Sequence, residues 1–162
     1  MFKKNKIIII GDTIIDINYL TKPFGKAAEF DSKKNYLINK NFNLGGSGMS
    51  YMALKKITNN VGMYTIANIA YKKIFNKIGI KDTYFSKKFI LEKNRYWQKQ
   101  KLLFQINNLD IDNKTIKLFQ KNLLIKLNKI KTFSKILLCD YRHGIFTEKF
   151  TKKIIKILNS KK

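Results

Sequence analysis

Ile7-Ile8-Ile9-Ile10-Gly11-Asp12 decides the fold class of this chain, together with a later run, Ile136-Leu137-Leu138-Cys139-Asp140. Both runs are short and apolar without alternation, and each ends in an aspartate. Such runs are typical of strands buried on both faces, as in a parallel sheet covered by helices. Ligands of open α/β sheets bind beyond the carboxyl ends of the strands. We therefore expect Asp12 and Asp140 at one functional edge of the sheet, although they lie far apart in the sequence.

The composition is that of a folded chain with a strong bias towards lysine. The 162 residues are enough for one domain with a real core. The formal net charge is +24, but only Arg95 and Arg142 are arginines, and the lysines run from end to end. Proteins that read bases and phosphates rely on the bidentate fork of arginine. The charge predicts weak, salt-sensitive binding of polyanions rather than a specific nucleic-acid partner.

The sequence contains no run that resembles a membrane span or a secretion signal. A span needs roughly 18 apolar residues, and the apolar region of a signal needs about 7–15, more than the four isoleucines after residues 1–6. We therefore expect a cytoplasmic protein without a membrane partner. Cys139 is the only cysteine, which excludes an intrachain disulfide, and its apolar strand favours a buried, inert thiol.

Strands and helices alternate along the chain, as in an α/β domain with a parallel sheet. Two extended, partly exposed segments interrupt this alternation and predict an added sheet. A loop is expected at 21–31, and two strands are expected around Glu92-Lys93-Asn94. The remaining expected elements are a helix opened by residues 45–48, a buried strand at 60–66, and helices at 70–78, 113–130 and from Thr147 onwards.

Gly45-Gly46-Ser47-Gly48 precedes a helix in which Met49, Met52, Ala53 and Ile57 recur at helical spacing. Ser47 is predicted to be the N-cap of that helix. The unpaired N–H groups of a helix start can hold an anion. The glycines can equally form only a tight turn, and the segment lacks the lysine of a Walker A loop. Both interpretations remain open.

Asp12 and Asp16 lie four residues apart and allow two interpretations. In the first, Asp12 caps a turn and Asp16 is solvated. In the second, both carboxylates accept hydrogen bonds from the hydroxyl groups of a polar ligand such as a sugar. His143 is the only histidine, and a structural or solvated role is favoured over catalysis. For Trp97, we expect packing within the protein rather than stacking on a ligand.

Three motifs in register resemble those of the ribokinase-like, or PfkB, carbohydrate kinases. They are Gly11-Asp12-Thr-Ile-Ile-Asp16, Gly45-Gly46-Ser-Gly-Met-Ser, and Cys139-Asp140-Tyr141-Arg-His143-Gly144. The heptose-phosphate kinases (the kinase domain of ADP-heptose synthases) and the kinase modules joined to cytidylyltransferases are the most similar branches. The resemblance implies a ribokinase-like, Rossmann-like parallel sheet flanked by helices. It also implies a small β lid, at about residues 13–42 and 83–107, on one truncated domain over residues 1–162.

The resemblance also implies a function, which is phosphoryl transfer from ATP, with Mg²⁺, to a sugar or heptose phosphate. By position, Asp12, Asp16, Gly45, Gly46 and Ser47 would bind the sugar. Asp140 would border the same site. A lid that closes over it excludes water and favours transfer to the sugar over ATP hydrolysis.

The chain departs from the family in one decisive motif. The catalytic base of these kinases is the aspartate of a Gly-Ala-Gly-Asp segment. The 162 residues contain no such segment. We therefore expect no catalytic residue here, an unknown ATP site, and little or no kinase activity from this chain alone. The expected partners are a sugar or sugar phosphate, and either a second copy or a separate chain supplying the carboxy-terminal half. The alternatives are a non-catalytic sugar-phosphate-binding or interaction module and, less favoured, a basic nucleic-acid-binding protein.

Overall fold

The computed structural model describes residues 7–29, 32–130 and 135–160, so the basic residues 1–6 and part of the expected loop lie outside it. The described elements follow in chain order: β1 Ile7–Lys26, β2 Lys33–Gly46, α1 Ser47–Ile57, β3 Val61–Asn68, a 3-10 turn Ile69–Tyr71, α2 Lys72–Ile78, β4 Asp82–Ser86, β5 Phe89–Gln98, β6 Lys101–Ile111, α3 Asn113–Lys129, β7 Lys135–Cys139 and α4 Glu148–Asn159.

β1 belongs to two sheets in succession. Its first part, Ile7–Asp12, pairs in parallel with β3 and β7, and β3 pairs in parallel with β4. This main sheet has the order β4-β3-β1-β7. From Thr13 onwards β1 pairs antiparallel with β2 and, over Ile15–Thr21, in parallel with β5, which pairs antiparallel with β6. We call this second sheet, in the order β2-β1-β5-β6, the lid sheet. The predicted α/β class, with a helix-flanked parallel sheet and an added small sheet, is confirmed.

The isoleucines of β1 point alternately into two core layers. Ile8 and Ile10 pack with the layer of α3 and α4, and Ile9 packs with the layer of α1 and α2. All three are at most 1% exposed. A strand covered on both faces needs apolar residues without alternation, which explains the run. Burying each isoleucine contributes about 1.5–3 kcal/mol.

The helix ends follow local capping rules. The Asp112 carboxylate accepts hydrogen bonds from the backbone N–H and the hydroxyl of Thr115, both at 2.9 Å, at the start of α3. These bonds lower the pKa of Asp112. Thr147 caps α4 by accepting from the backbone N–H of Phe150 at 3.2 Å. The helix expected at 70–78 does end before Gly79, which adopts φ 85°.

The lid sheet differs in extent from the sequence expectation. β1 continues through Pro23 to Lys26, where a loop was expected from residue 21. The β5–β6 turn lies at Lys99 and Gln100, and the expected turn at 92–94 is wrong. The second lid segment is therefore 89–111 rather than 83–107, because 82–86 is β4 of the main sheet.

The turn between β5 and β6 was predicted at the wrong position because β5 contains polar residues. Glu92 accepts a hydrogen bond from the Tyr71 hydroxyl at 2.5 Å. Asn94 is 7% exposed and accepts from the Tyr19 hydroxyl at 3.1 Å. Neighbouring elements satisfy these polar groups, so they lie within a strand although such residues are typical of turns.

The prediction that the strand before Asp140 is buried on both faces is wrong at its centre, and the periodic apolar residues of α1 also lie at the surface. Leu137 in β7 is 42% exposed, because β7 pairs with β1 alone among the described strands. In α1, the buried residues include Ser47, Gly48 and Tyr51. The periodic residues of that helix are exposed instead: Met49, Met52, Ala53 and Ile57.

Candidate functional site

Asp12 ends the main-sheet part of β1 and is completely buried. Its Oδ1 accepts a hydrogen bond from the backbone N–H of Tyr141 at 3.2 Å, and its Oδ2 contacts Nδ1 of His143. Both partners lie in the segment after β7. The carboxylate thus fastens that segment to β1, as a buried carboxylate requires partners. The structure gives both oxygens protein partners, and direct contact with a sugar stays a prediction.

Asp140 lies next to Asp12, as expected, because the register pairs Gly11 with Cys139 on the neighbouring strand. Asp140 itself is exposed. Its Oδ1 accepts from the backbone N–H of Arg142 at 2.8 Å and so closes a turn within its own loop. This turn shapes the border of the site, and Arg142 adopts φ 63° in it.

Ser47 is completely buried and serves β1 rather than its own helix. Its hydroxyl donates to the backbone carbonyl of Asp12 at 2.8 Å and lies 3.1 Å from the hydroxyl of Thr13. The hydroxyl of Thr13 lies 2.8 Å from that of Thr65. The N-cap of α1 is Gly46, without a side-chain cap, so the prediction of Ser47 as N-cap is wrong. The helix already begins at Ser47, so its side chain is not at the capping position and instead donates to β1.

The glycines before α1 allow a close approach to both aspartates. Gly46 adopts φ +59°, and a Cβ atom there would lie 2.6 Å from the Asp12 carbonyl oxygen. At Gly45 a Cβ atom would lie 2.9 Å from Oδ2 of Asp16. The segment therefore forms a tight turn, and anion binding by it stays a prediction.

Asp16 lies on the lid part of β1 and has unused hydrogen-bonding capacity. Its side chain is 17% exposed, and Oδ2 lies 3.4 Å from Nη1 of Arg95. Its Oδ1 is buried and has no hydrogen-bond partner among the described residues. A buried carboxylate oxygen without a donor is costly, so Asp16 has hydrogen-bonding capacity that the described residues leave unused.

One face of the lid sheet is polar around Asp16. The register places Asp16 beside Asn43 and Lys93, and Asn18 beside Asn41 and Arg95. Partnered residues on adjacent strands point to the same face. β6 adds two residues to this face by the same pairing. We call this set the polar lid face: Asp16, Asn18, Asn41, Asn43, Lys93, Arg95, Gln105 and Asn107.

Side-chain hydrogen bonds order the polar lid face. Nε of Arg95 donates to Oε1 of Gln105 at 2.9 Å, and Nε2 of Gln105 donates to Oδ1 of Asn107 at 2.8 Å. Nε1 of Trp97 donates to Oδ1 of Asn18 at 2.9 Å, which supports packing for Trp97. The asparagines of β2 were not among the residues predicted from the sequence to bind a ligand. The sequence signal was that these asparagines occur at every second position, which places them on one face of a strand.

Cys139 lies half-buried at the end of β7. Burial is the main cause that raises the pKa of its thiol. A raised pKa and limited access agree with the inert thiol predicted. The described residues hold no group of three His, Cys, Asp or Glu side chains placed to bind a metal ion.

One curated relative matches the chain over nearly its whole length. It is the bifunctional protein HldE of Aliarcobacter butzleri (strain RM4018), 29% identical over 178 aligned positions, and the match covers 97% of this chain and 35% of HldE. No protein-family model matches the chain.

Solved structures share the fold. A protein of Staphylococcus aureus assigned as a phosphofructokinase gives a TM-score of 0.71 at 14% identity, over 96% of this chain and 50% of that one. Escherichia coli phosphofructokinase-2, solved with fructose-6-phosphate, gives 0.64 at 8% identity, over 97% of this chain and 52% of that one. The resemblance to the ribokinase-like sugar kinases is confirmed.

In its fold, the chain is similar to about half of each of these two kinase structures. It spans about a third of the curated relative and about half of each structural neighbour named above. No described helix is both long and apolar enough to cross a membrane.

Proposed function

We propose that the chain binds a sugar or sugar phosphate between the polar lid face and the carboxyl ends of the main-sheet strands. The observation that carries this proposal is the buried Oδ1 of Asp16, which lacks a partner among the described residues. A sugar hydroxyl that donates to this oxygen would remove the cost of leaving it unpaired. The guanidinium of Arg95, 3.4 Å from Oδ2, holds the carboxylate in place.

The rest of the polar lid face suits a phosphorylated sugar. Lys93 and Arg95 provide positive charge for a phosphate, and the asparagine amides both donate to and accept from hydroxyls. We propose a heptose phosphate, on the strength of the three motifs that resemble the heptose-phosphate kinases. Such a ligand also fits the cytoplasmic location expected from the sequence.

We do not expect this chain alone to transfer a phosphoryl group. The 162 residues hold no Gly-Ala-Gly-Asp segment. The described residues also bring no cluster of carboxylates together for a cation. Without a positioned base, transfer of the γ-phosphoryl of ATP is badly impaired. We propose that this chain supplies sugar binding, and that a kinase reaction needs residues from elsewhere.

Titration calorimetry tests the binding proposal with a heptose phosphate and with fructose 6-phosphate. The wild-type chain should bind one of them, and Asp16→Asn should weaken that binding by about tenfold or more, or ~1.4 kcal/mol. Asp110→Asn is the matched control, because Asp110 is exposed on β6 and its register places it on the opposite face of the lid sheet. Equal affinity of Asp16→Asn and wild type, or no binding of either compound, would refute the proposal.

An ATP-coupled assay separates the binding module from a kinase. The purified chain should bind the sugar phosphate without turning it over. Phosphorylated product above the background without protein would contradict the expected inactivity, while leaving the sugar site intact.

A further inference from the structure

His143 lies in the segment that follows β7, and one edge of its ring is fixed. Its Nδ1 contacts Oδ2 of Asp12, whose side chain is completely buried. A carboxylate accepts hydrogen bonds, so Nδ1 carries a proton and the neutral ring presents Nε2 as an acceptor. A carboxylate on Nδ1 orients the histidine of hydrolytic triads in the same way. Asp12 therefore sets both the direction of the ring and the nitrogen that stays unprotonated.

The opposite edge of the ring is accessible. Nε2 of His143 has no hydrogen-bond partner among the described residues, and it is not one of their enclosed, unpaired polar atoms. The side chain is 20% exposed. Because Nδ1 faces a completely buried group, the exposed part of the ring lies on the side away from Asp12. Nε2 is thus an accessible acceptor that is held in a fixed direction.

The backbone on both sides of His143 has an unusual conformation. Arg142 and Gly144 adopt left-handed φ angles of 63° and 80°. This conformation is unfavourable for a residue with a side chain, and it persists where surrounding contacts impose it. Here the Asp140 carboxylate accepts from the backbone N–H of Arg142 at 2.8 Å. Such strain is found where a side chain is positioned for function, which fits the fixed ring of His143.

His143 lies close to the part of the site that contains Asp16. A Cβ atom at Gly46 would lie 3.4 Å from Cδ2 of Tyr141, in the segment of His143. At the preceding Gly45, a Cβ atom would lie 2.9 Å from Oδ2 of Asp16. Two consecutive glycines therefore join the segment of His143 to Asp16, at a separation that one sugar phosphate can span.

We propose that His143 is a specificity-determining residue of this site, whose Nε2, oriented by Asp12, accepts a hydrogen bond from one hydroxyl group of the bound sugar. The inference rests on the proposed sugar binding at Asp16 and adds a second acceptor to it. A site built to hydrogen-bond a hydroxyl group rejects an analogue that lacks this group. The chain should therefore distinguish sugar phosphates that differ at a single hydroxyl.

Calorimetry of His143→Asn separates the ligand contact from the fold. The asparagine amide nitrogen takes the position of Nδ1 and can donate to Asp12, but nothing replaces Nε2. The variant should unfold at nearly the same urea concentration as wild type. It should bind the heptose phosphate or fructose 6-phosphate, whichever wild type binds, about fivefold or more weakly. The matched control Asp110→Asn should bind like wild type.

Analogues of that sugar phosphate, each lacking one hydroxyl group, identify the group that Nε2 contacts. One analogue should bind wild type about fivefold or more weakly than the parent compound does. Against His143→Asn, the same analogue and the parent compound should bind equally. If every analogue loses as much affinity for the variant as for wild type, Nε2 contacts no hydroxyl group.

Nuclear magnetic resonance of the ring gives a second readout, because His143 is the only histidine of the chain. In ¹⁵N-labelled protein without a histidine tag, at about pH 8, Nδ1 should carry the proton and the sugar phosphate should shift the Nε2 resonance. Asp12→Asn places an amide donor against Nδ1. It should move the ring proton to Nε2 and weaken binding, which a purely structural role of the ring would not cause.

The proposal is overturned if Nε2 carries the proton in the free chain, if saturating ligand leaves its resonance unchanged, or if His143→Asn binds like wild type. Should His143→Asn fail to fold, the resonance of Nε2 in the wild-type chain decides. If Asp16→Asn weakens binding and His143→Asn does not, only the role of His143 fails. The absence of binding by the wild-type chain overturns both this role and the proposed function.

Discussion

Asp12 illustrates how one carboxylate can hold a site together without facing a ligand. Its two oxygens engage Tyr141 and His143, and its backbone carbonyl accepts the Ser47 hydroxyl. It therefore connects β1, α1 and the segment after β7. Asp16 is the better probe of ligand binding, because a change at Asp12 disturbs the scaffold first.

Replacing Asp12 by alanine should therefore destabilise the fold. The change removes the acceptor of the Tyr141 N–H and of the His143 ring at the completely buried position of Asp12, which costs about 1–3 kcal/mol. Urea denaturation followed by circular dichroism measures the loss in the free energy of unfolding. Asp140→Ala is the control and should cost less than about 1 kcal/mol, because Asp140 is exposed and bonds only within its own loop. Equal effects of the two changes would contradict the role given to Asp12.

The thiol of Cys139 should react slowly with alkylating reagents. Burial raises its pKa, so a smaller fraction is thiolate at a given pH than in an exposed cysteine. The rate of modification at about pH 8 should rise at least tenfold when urea unfolds the chain. Equal rates in the native and the unfolded chain would show that the thiol is not protected from the reagent and that its pKa is not raised.

At the scale of the elements, α4 depends on the Thr147 cap. The hydroxyl oxygen accepts from Phe150, which packs in the α3–α4 layer. Thr147→Ala should lower the free energy of unfolding by about 1 kcal/mol, measured by thermal or urea denaturation. Thr147→Ser retains the hydroxyl and should restore most of that loss. A serine variant as unstable as the alanine variant would rule out the cap as the cause.

Sequence patterns predicted best those elements whose own spacing of apolar residues reflects which faces are buried. The main-sheet part of β1, β3 and α3 carry continuous or helical apolar spacing, and each lies close to where it was expected. The β5–β6 turn was misplaced because Glu92 and Asn94 are polar for reasons of tertiary contact. A pattern in one segment cannot show which partners a neighbouring strand offers.

The site was predicted less completely than the fold. The meeting of Asp12 and Asp140 follows from parallel strands alone. The partners of each carboxylate do not, because His143 and Arg95 reach them only through loop conformation and sheet register. The asparagines of β2 belong to the polar lid face because the register places Asn43 beside Asp16 and Asn41 beside Asn18.

For the whole molecule, the net charge of +24 makes a separate prediction. The chain should bind duplex DNA or heparin weakly, through counterion release alone, and lose most of that binding between about 50 mM and 200 mM salt. Fluorescence anisotropy with two unrelated duplexes measures the slope. Affinity that survives the higher salt and differs between the duplexes would favour the nucleic-acid-binding alternative.

The two-sheet course of β1 has a consequence for biosynthesis. Ile7 leaves the ribosome well before its register partner in β7, which is Lys135. At about 5–20 residues per second, the isoleucines of β1 wait on the order of ten seconds for that partner. Contacts between such distant residues also slow folding. β3 follows β1 much sooner and can pair with one edge of it, but the other edge has no β7 partner until late in synthesis. The nascent chain therefore exposes an apolar strand edge on which other strands or chaperones can bind.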